Sequence, residues 1–181
     1  MTVYIVTGWP RSGTSLAVQT IRDCGIEALV KPQQVQARGG YRHQPQDYFE
    51  PPSGWLLSAA KVRRSHGKVG KLLAPNVERL PAGERIDYRI VVMVRDPQEI
   101  IRSHHAAFGS ISRFSPAEAS RLVGRLSGRP DVASVTVVDF RELVTDTGRA
   151  IARLIGDGWP LDPARAGEAV DETWWRHRVA P

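Results

Sequence analysis

The chain has 181 residues, 41% of them apolar and 24% charged, which is ordinary for one globular domain with a substantial core. Its formal net charge of +6 favours an anionic ligand, with nucleic acid as a rival explanation of that charge. The single cysteine, Cys24, excludes an internal disulfide and a cysteine metal cluster, and no apolar run is long enough to span a membrane. Since no charged-then-apolar leader precedes the first apolar run, we expect a cytoplasmic location.

The first strand and the first helix are joined by a turn that is rich in glycine. Val3 to Val6 is a short β-branched and apolar run, which predicts a buried strand. The run breaks at Gly8 and Pro10, and apolar residues recur at helical spacing from Thr14 onward. In such a turn, backbone amides and the positive end of the helix dipole can hold an anionic group.

The spacing within this turn is close to that of a nucleotide-binding loop. Gly8-x-x-x-x-Gly13-Thr14-Ser15 matches G-x-x-x-x-G-K-[ST] except that Thr14 stands where the lysine is expected. The cation is instead Arg11, whose planar fork can bind two oxyanions at once. The alternative is an ordinary strand–turn–helix with a solvated Arg11. We predict a phosphate- or sulfate-binding loop made of Gly8, Pro10, Arg11, Ser12, Gly13, Thr14 and Ser15.

A long polar stretch follows the first helix, and it contains two candidate acid–base residues. Residues 28–52 show no clear period, which predicts a long loop with at most a short helix. Within it, Asp47 and Glu50 flank the aromatic pair Tyr48 and Phe49. Carboxylates near an anion loop are candidates for general acid–base catalysis. On residue types alone, the alternative in which the aromatics fill the core and the carboxylates are solvated is favoured.

The second predicted strand carries a lysine, and the third leads into an arginine. Residues 67–75 alternate valine and leucine with lysine, which predicts a second strand that ends at Pro75 and carries Lys71. A solvated lysine at the strand end is the alternative role. Tyr88 to Val94 is a continuous apolar run typical of a central parallel strand, and it leads directly into Arg95. Ligands bind at this end of the strands in open α/β sheets.

Arg95 is followed by signals for a new helix. Asp96 suits the N-cap and Pro97 the first turn, and Ser103 lies on the same helix, eight positions past Arg95. His104 and His105 are adjacent on that helix and cannot both face one ion, so no metal site is predicted there. A helix over 116–126, a strand over 134–138 and a helix ending near Gly156 are predicted after it.

Two of these motifs resemble the nucleotide-binding motifs of sulfotransferases that use 3′-phosphoadenosine 5′-phosphosulfate. Pro10 to Ser15 is similar to their 5′-phosphosulfate loop. Arg95-Asp96-Pro97, with Ser103 at the right spacing, resembles their 3′-phosphate signature, in which the arginine and the serine bind the phosphate together. The resemblance spans roughly residues 3–155. It implies that Arg11 and Lys71 stabilise the group in transfer and the leaving phosphate.

The resemblance also bears on the base that activates the acceptor. Gln44 to Glu50 looks like the segment that carries the catalytic glutamate of the bacterial trehalose sulfotransferase type. Asp47 takes that glutamate's place with a side chain shorter by one methylene, so Glu50 is a second candidate. In the animal cytosolic enzymes the base is a histidine, and here Leu73 occupies its position.

The expected architecture is one sulfotransferase-like P-loop domain over residues 1–181, a three-layer α/β/α fold with a mainly parallel sheet of four or five strands. The expected reaction moves a sulfuryl group from 3′-phosphoadenosine 5′-phosphosulfate to a hydroxyl or amine of a small molecule or carbohydrate, which leaves 3′,5′-adenosine bisphosphate. We expect no metal cofactor and no nucleic-acid partner. A homodimer could supply missing acceptor contacts, because the chain is short for this family.

Two alternative functions and the role of one segment stay open. A P-loop nucleoside or small-molecule kinase would share the loop, and a non-catalytic nucleotide-binding module would share the fold without the base. The aromatic and basic segment from Trp174 to Arg178 could close over a nucleotide, although packing of its indoles on the sheet is favoured.

Overall fold

The computed structural model describes residues 1–29, 54–83, 85–109, 115–168 and 170. Within these residues four strands form one sheet in which every pairing is parallel. The strands are β1 (Thr2–Gly8), β2 (Val69–Lys71), β3 (Asp87–Val94) and β4 (Val132–Asp139).

Helices cover both faces of this sheet. The α-helices among the described residues are α1 (Thr14–Asp23), α2 (Ala59–Arg63), α3 (Ala74–Val77), α4 (Pro97–Phe108), α5 (Pro116–Ser127), α6 (Phe140–Thr145) and α7 (Thr147–Gly156). Short 3-10 segments lie at Trp55–Leu57 and Pro163–Glu168. The described part of the chain contains no helix with the length and apolarity needed to cross a bilayer.

The order of the strands reverses direction between β1 and β3. The order is β2-β1-β3-β4, so β1 and β3 are neighbours although β2 lies between them in the sequence. The chain leaves β1 toward β2 on one side and leaves β3 toward β4 on the other. In open parallel sheets, ligands bind in the crevice at such a reversal, outside the carboxyl ends of the strands.

Two apolar cores, one on each face of the sheet, hold the layers together. The alternation along β1 separates them, because Tyr4 and Val6 face one core and Val3 and Ile5 face the other. The first core packs β1 and β3 against α1, α6 and α7. The second packs the same strands against α2, α3 and α5. Cys24, the C-cap of α1, lies fully buried in the first core.

Most of the predicted elements are confirmed, with one correction. The predicted β1, α1, β3, α4, α5 and β4 all occur, and the sheet formed by the described residues has four strands, all parallel. The sequence predicts a second strand that reaches Pro75, but β2 ends at Lys71 and the short helix α3 begins at Ala74. Leu72 still donates its amide to Val6 O at 3.0 Å. The strand stops there because a proline in the first turn favours a helix start.

Candidate functional site

The loops that follow β1 and β3 lie side by side at the carboxyl edge of the sheet. Gly8, the last residue of β1, is in register with Met93 of β3. A Cβ on Gly8 would lie only 2.8 Å from the carbonyl oxygen of Met93, so the loop runs directly against the end of β3. Only glycine permits this approach without displacement of the backbone. The predicted anion loop and the Arg95 segment are therefore brought together.

The turn between β1 and α1 has an unusual backbone. Ser12 donates its amide to Trp9 O at 3.1 Å, and Arg11 within this turn has a φ of 71°. For a residue with a Cβ the left-handed conformation costs about 1–2 kcal/mol, and such strain is concentrated at functional sites. Gly13, with a φ of 98°, is the N-cap of α1 and has no side chain to cap it. The first amides of a helix have no partner within the helix, so this end of α1 can accept an anion.

Arg11 and Ser103 form a direct contact between the two predicted subsites. Arg11 Nε donates to Ser103 Oγ at 2.9 Å, although the residues are 92 positions apart in the chain. Ser103 lies on α4 and is only 2% exposed. The residue expected at a 5′-phosphosulfate and the residue expected at a 3′-phosphate are therefore within hydrogen-bond distance of each other.

Arg95 is buried and contacts the backbone of Arg11. Its Nε donates to Glu99 Oε2 at 2.8 Å, and its Nη1 donates to the carbonyl oxygen of Arg11 at 3.3 Å. The ring of Phe140 lies on the guanidinium, with Cζ 4.0 Å from the ring centroid. Burial lowers the pKa of Arg95, and the hydrogen bond that Arg95 donates to Glu99 opposes that shift. An arginine remains charged under such conditions, so Arg95 supplies a buried positive charge.

Lys71 reaches the same loop from the next strand. It ends β2, is 4% exposed, and its Nζ donates to Ser15 Oγ at 3.1 Å. The alternative of a solvated lysine at the strand end is therefore wrong. A buried ammonium that contacts the loop adds a second fixed cation to the site.

Several buried polar atoms of this region have no hydrogen-bond partner among the described residues. They are Thr7 Oγ1 at the end of β1, Ser12 Oγ in the loop and Arg95 Nη2 at the end of β3. Thr7 and Ser12 are fully buried. Buried polar groups are nearly always paired, so unsatisfied donors and acceptors at a strand crevice are consistent with a polar ligand.

Asp96 and the two histidines of α4 do not add a metal site. Asp96 Oδ1 accepts hydrogen bonds from the amides of Gln98 and Glu99 at 2.7 and 3.2 Å, which confirms its predicted role as the N-cap of α4. His105 is exposed and the His104 ring packs 4.9 Å from that of Phe108. The described residues contain no group of three histidine, cysteine or carboxylate side chains that could hold a metal ion.

The two candidate bases, Asp47 and Glu50, lie outside the described residues, as does the segment from Trp174 to Arg178. Their proximity to the site therefore stays a prediction. Leu73, which stands in the position of the histidine base of the animal enzymes, is partly buried just before α3.

Two residues of the site were not predicted from the sequence. Glu99 could have been found, because Arg95-x-x-x-Glu99 has the spacing of a helical ion pair at the start of a predicted helix. Phe140 carries no such signal. A Cβ on Gly13 would lie 2.4 Å from its Cδ2, and the same ring covers Arg95, so Phe140 packs between the loop and the end of β3.

The chain matches no known protein-family model and no curated protein.

Proposed function

We propose that this protein transfers a sulfuryl group from 3′-phosphoadenosine 5′-phosphosulfate to a hydroxyl or amine of a small-molecule or carbohydrate acceptor. The observation that carries the proposal is the convergence of Arg11, Arg95 and Ser103 at the carboxyl ends of β1 and β3. These residues come from the two motifs whose residue types and spacing resemble the donor-binding motifs of sulfotransferases.

A donor with two separate anionic groups fits this arrangement. The loop from Gly8 to Ser15 would hold the 5′-phosphosulfate with its amides and with Arg11. Arg95 and Ser103 would hold the 3′-phosphate, and the 2.9 Å contact between Arg11 and Ser103 supports two adjacent subsites for one ligand. Arginine suits both positions because its fork binds phosphate oxygens in pairs.

The contact between Lys71 and Ser15 favours this chemistry over that of a P-loop kinase. Ser15 occupies the position whose hydroxyl binds Mg²⁺ in nucleotide-binding loops of the form G-x-x-x-x-G-K-[ST]. Here that hydroxyl accepts a hydrogen bond from the Lys71 ammonium. A P-loop kinase would also use a carboxylate near the end of β3 to hold the metal. The residue at that point is Arg95, and Asp96 caps α4.

The proposed roles follow the charges that develop during the reaction. The donor supplies an activated sulfuryl group attached to a good phosphate leaving group. Asp47 or Glu50 accepts the proton from the hydroxyl or amine of the acceptor. At the same time the acceptor's oxygen or nitrogen bonds to sulfur, and the bond between sulfur and the leaving phosphate oxygen breaks. Arg11 and Lys71 stabilise the negative charge that moves to the leaving phosphate.

Nucleotide binding tests the proposal most directly. The melting temperature is measured with 3′,5′-adenosine bisphosphate, AMP and ATP, the last with and without Mg²⁺. A ligand at ~100 Kd should stabilise the fold by roughly 2.7 kcal/mol. We expect the bisphosphate to stabilise the chain far more than AMP or ATP, and Ser103→Ala to reduce this preference. Ser120→Ala, an exposed serine of α5, is the matched control.

Three results would contradict the proposal. Equal shifts with all three nucleotides would leave the 3′-phosphate without a role. A shift that requires both ATP and Mg²⁺ would favour the kinase. Tight binding of the bisphosphate without transfer to any hydroxyl or amine acceptor would favour a binding module that lacks the base.

A further inference from the structure

Glu99 is a buried carboxylate that lies beside the cations of the site. It is 4% exposed and lies in the first turn of α4, where its carboxylate contacts Arg95. A negative charge this close to an anion site repels the ligand that the site would bind. An electrostatic role in attracting the ligand is therefore excluded for Glu99, and its contact with Arg95 requires another explanation.

The contacts of Arg95 indicate that its orientation is fixed from three directions. Glu99 accepts from Nε, the Arg11 carbonyl accepts from Nη1, and the ring of Phe140 lies on the face of the guanidinium. The guanidinium is planar, so these contacts together fix the direction of its remaining Nη2 group. That group is buried and has no partner among the described residues.

The start of α4 fixes the position of Glu99 itself. Asp96 accepts from the amide of Glu99 at 3.2 Å, so the backbone of Glu99 is held by the N-cap. The spacing of four residues then lets its carboxylate reach Arg95, which lies just before the N-cap of α4. Glu99 therefore has a fixed backbone and a carboxylate that accepts a hydrogen bond from Arg95 Nε. A residue held in this way can fix the orientation of the arginine.

We propose that Glu99 is a positioning residue that aims Arg95 Nη2 at the 3′-phosphate, so that selectivity for a 3′-phosphorylated nucleotide depends on Glu99. This inference rests on the proposed function, because it assumes that Arg95 binds the 3′-phosphate. It goes further by assigning the selectivity to a residue that does not contact the ligand.

The test measures a ratio of affinities. Dissociation constants for AMP and for 3′,5′-adenosine bisphosphate are determined by calorimetry on the full chain, wild type and variants. Glu99→Ala removes the acceptor for Nε, and Glu99→Gln keeps an acceptor without the charge. The matched control is Glu78→Ala, which removes the exposed ion pair with Arg125 on another part of the surface.

We expect the preference for the bisphosphate over AMP to fall about tenfold in Glu99→Ala, the loss of roughly one charge-assisted hydrogen bond. The preference of Glu99→Gln for the bisphosphate should lie between those of Glu99→Ala and the wild type. The affinity for AMP should be nearly unchanged in both variants. Glu78→Ala should keep the wild-type preference. A role in folding alone would lower the melting temperature and leave the ratio unchanged.

The outcomes separate this inference from the proposed function. If the wild type does not prefer the bisphosphate, both fail. If it does and Glu99→Ala keeps the wild-type ratio, Glu99 is not a positioning residue and the proposed function stands. Should Glu99→Ala fail to fold, Glu99→Gln decides in the same way, and an unchanged ratio in that variant overturns the inference.

Discussion

Gly13→Ala perturbs the point at which the loop from Gly8 to Ser15, α1 and Phe140 meet. The added Cβ would lie 2.4 Å from Cδ2 and 3.1 Å from Cε2 of the Phe140 ring. The backbone of Gly13 also has a φ of 98°, which residues with a Cβ rarely adopt. Either the ring or the loop must move, and the ring also covers Arg95. The change should therefore reduce stability and anion binding together.

Two separable terms make up the expected loss of stability. The left-handed backbone costs alanine about 1–2 kcal/mol. Forcing a methyl group against a packed ring costs roughly 1–3 kcal/mol more. Together the free energy of unfolding should fall by about 2–5 kcal/mol. Because a domain of this kind is stable by only about 5–15 kcal/mol, the effect is large enough to measure in urea.

A double-mutant cycle separates the two terms. Phe140→Val removes the two ring atoms that would lie closest to the new methyl group, and the cost of Gly13→Ala should be smaller in that background by about 1–3 kcal/mol. Gly148→Ala is a control, because a Cβ at Gly148 of α7 meets no atom within 4 Å. A cost of Gly13→Ala below 1 kcal/mol, or an identical cost with and without Phe140, would refute the packing described here.

Four further predictions address the charged residues of the site and the core. Arg11→Ala should weaken bisphosphate binding by about ten- to a hundred-fold and should lower turnover as well. If calorimetry shows unchanged affinity for the bisphosphate, Arg11 does not bind it. Lys71→Met should lower the rate of sulfuryl transfer by about 10²-fold or more and should have a smaller effect on bisphosphate affinity. If rate and affinity fall by the same factor, Lys71 contributes to binding alone. Asp47→Asn should lower the rate by about 10²–10⁴-fold without affecting bisphosphate binding, and Glu50→Gln should be milder. The reverse order would make Glu50 the base, and full activity in both variants would exclude both residues. Burial raises the pKa of Tyr88 to about 12, whereas a tyrosine of the unfolded chain has an ordinary pKa of ~10. Between these two pH values the folded chain keeps the phenol proton that the unfolded chain has lost. The free energy of unfolding should therefore fall by up to roughly 2.7 kcal/mol as the pH rises from about 10 to 12, and urea titrations of Tyr88→Phe should show a shallower decline.

The elements of this fold could be predicted because their signals are local. β-Branched apolar runs predict β1, β3 and β4, and Asp96 followed by Pro97 marks the start of α4. Each signal depends on the backbone preferences and the apolar pattern of a few neighbouring residues, and these do not depend on the rest of the fold. The early end of β2 was missed because three residues of strand next to a proline turn are too short for a periodic pattern. The roles of Arg11, Arg95 and Ser103 follow from the resemblance to sulfotransferases, and these roles stay predictions.

The sequence alone determined the residue types of the site, namely a glycine loop with an arginine, a strand that ends in an arginine, and a serine eight positions beyond it. The tertiary structure decided which of these residues meet. Arg11 reaches Ser103 because the strand order makes β1 and β3 neighbours, and Lys71 reaches Ser15 because β2 pairs with the other side of β1. Phe140 joins Gly13 to Arg95 through side-chain packing that no local pattern encodes. Contacts between distant segments depend on the shape and burial of the whole sheet, and a pattern of neighbouring residues cannot specify them.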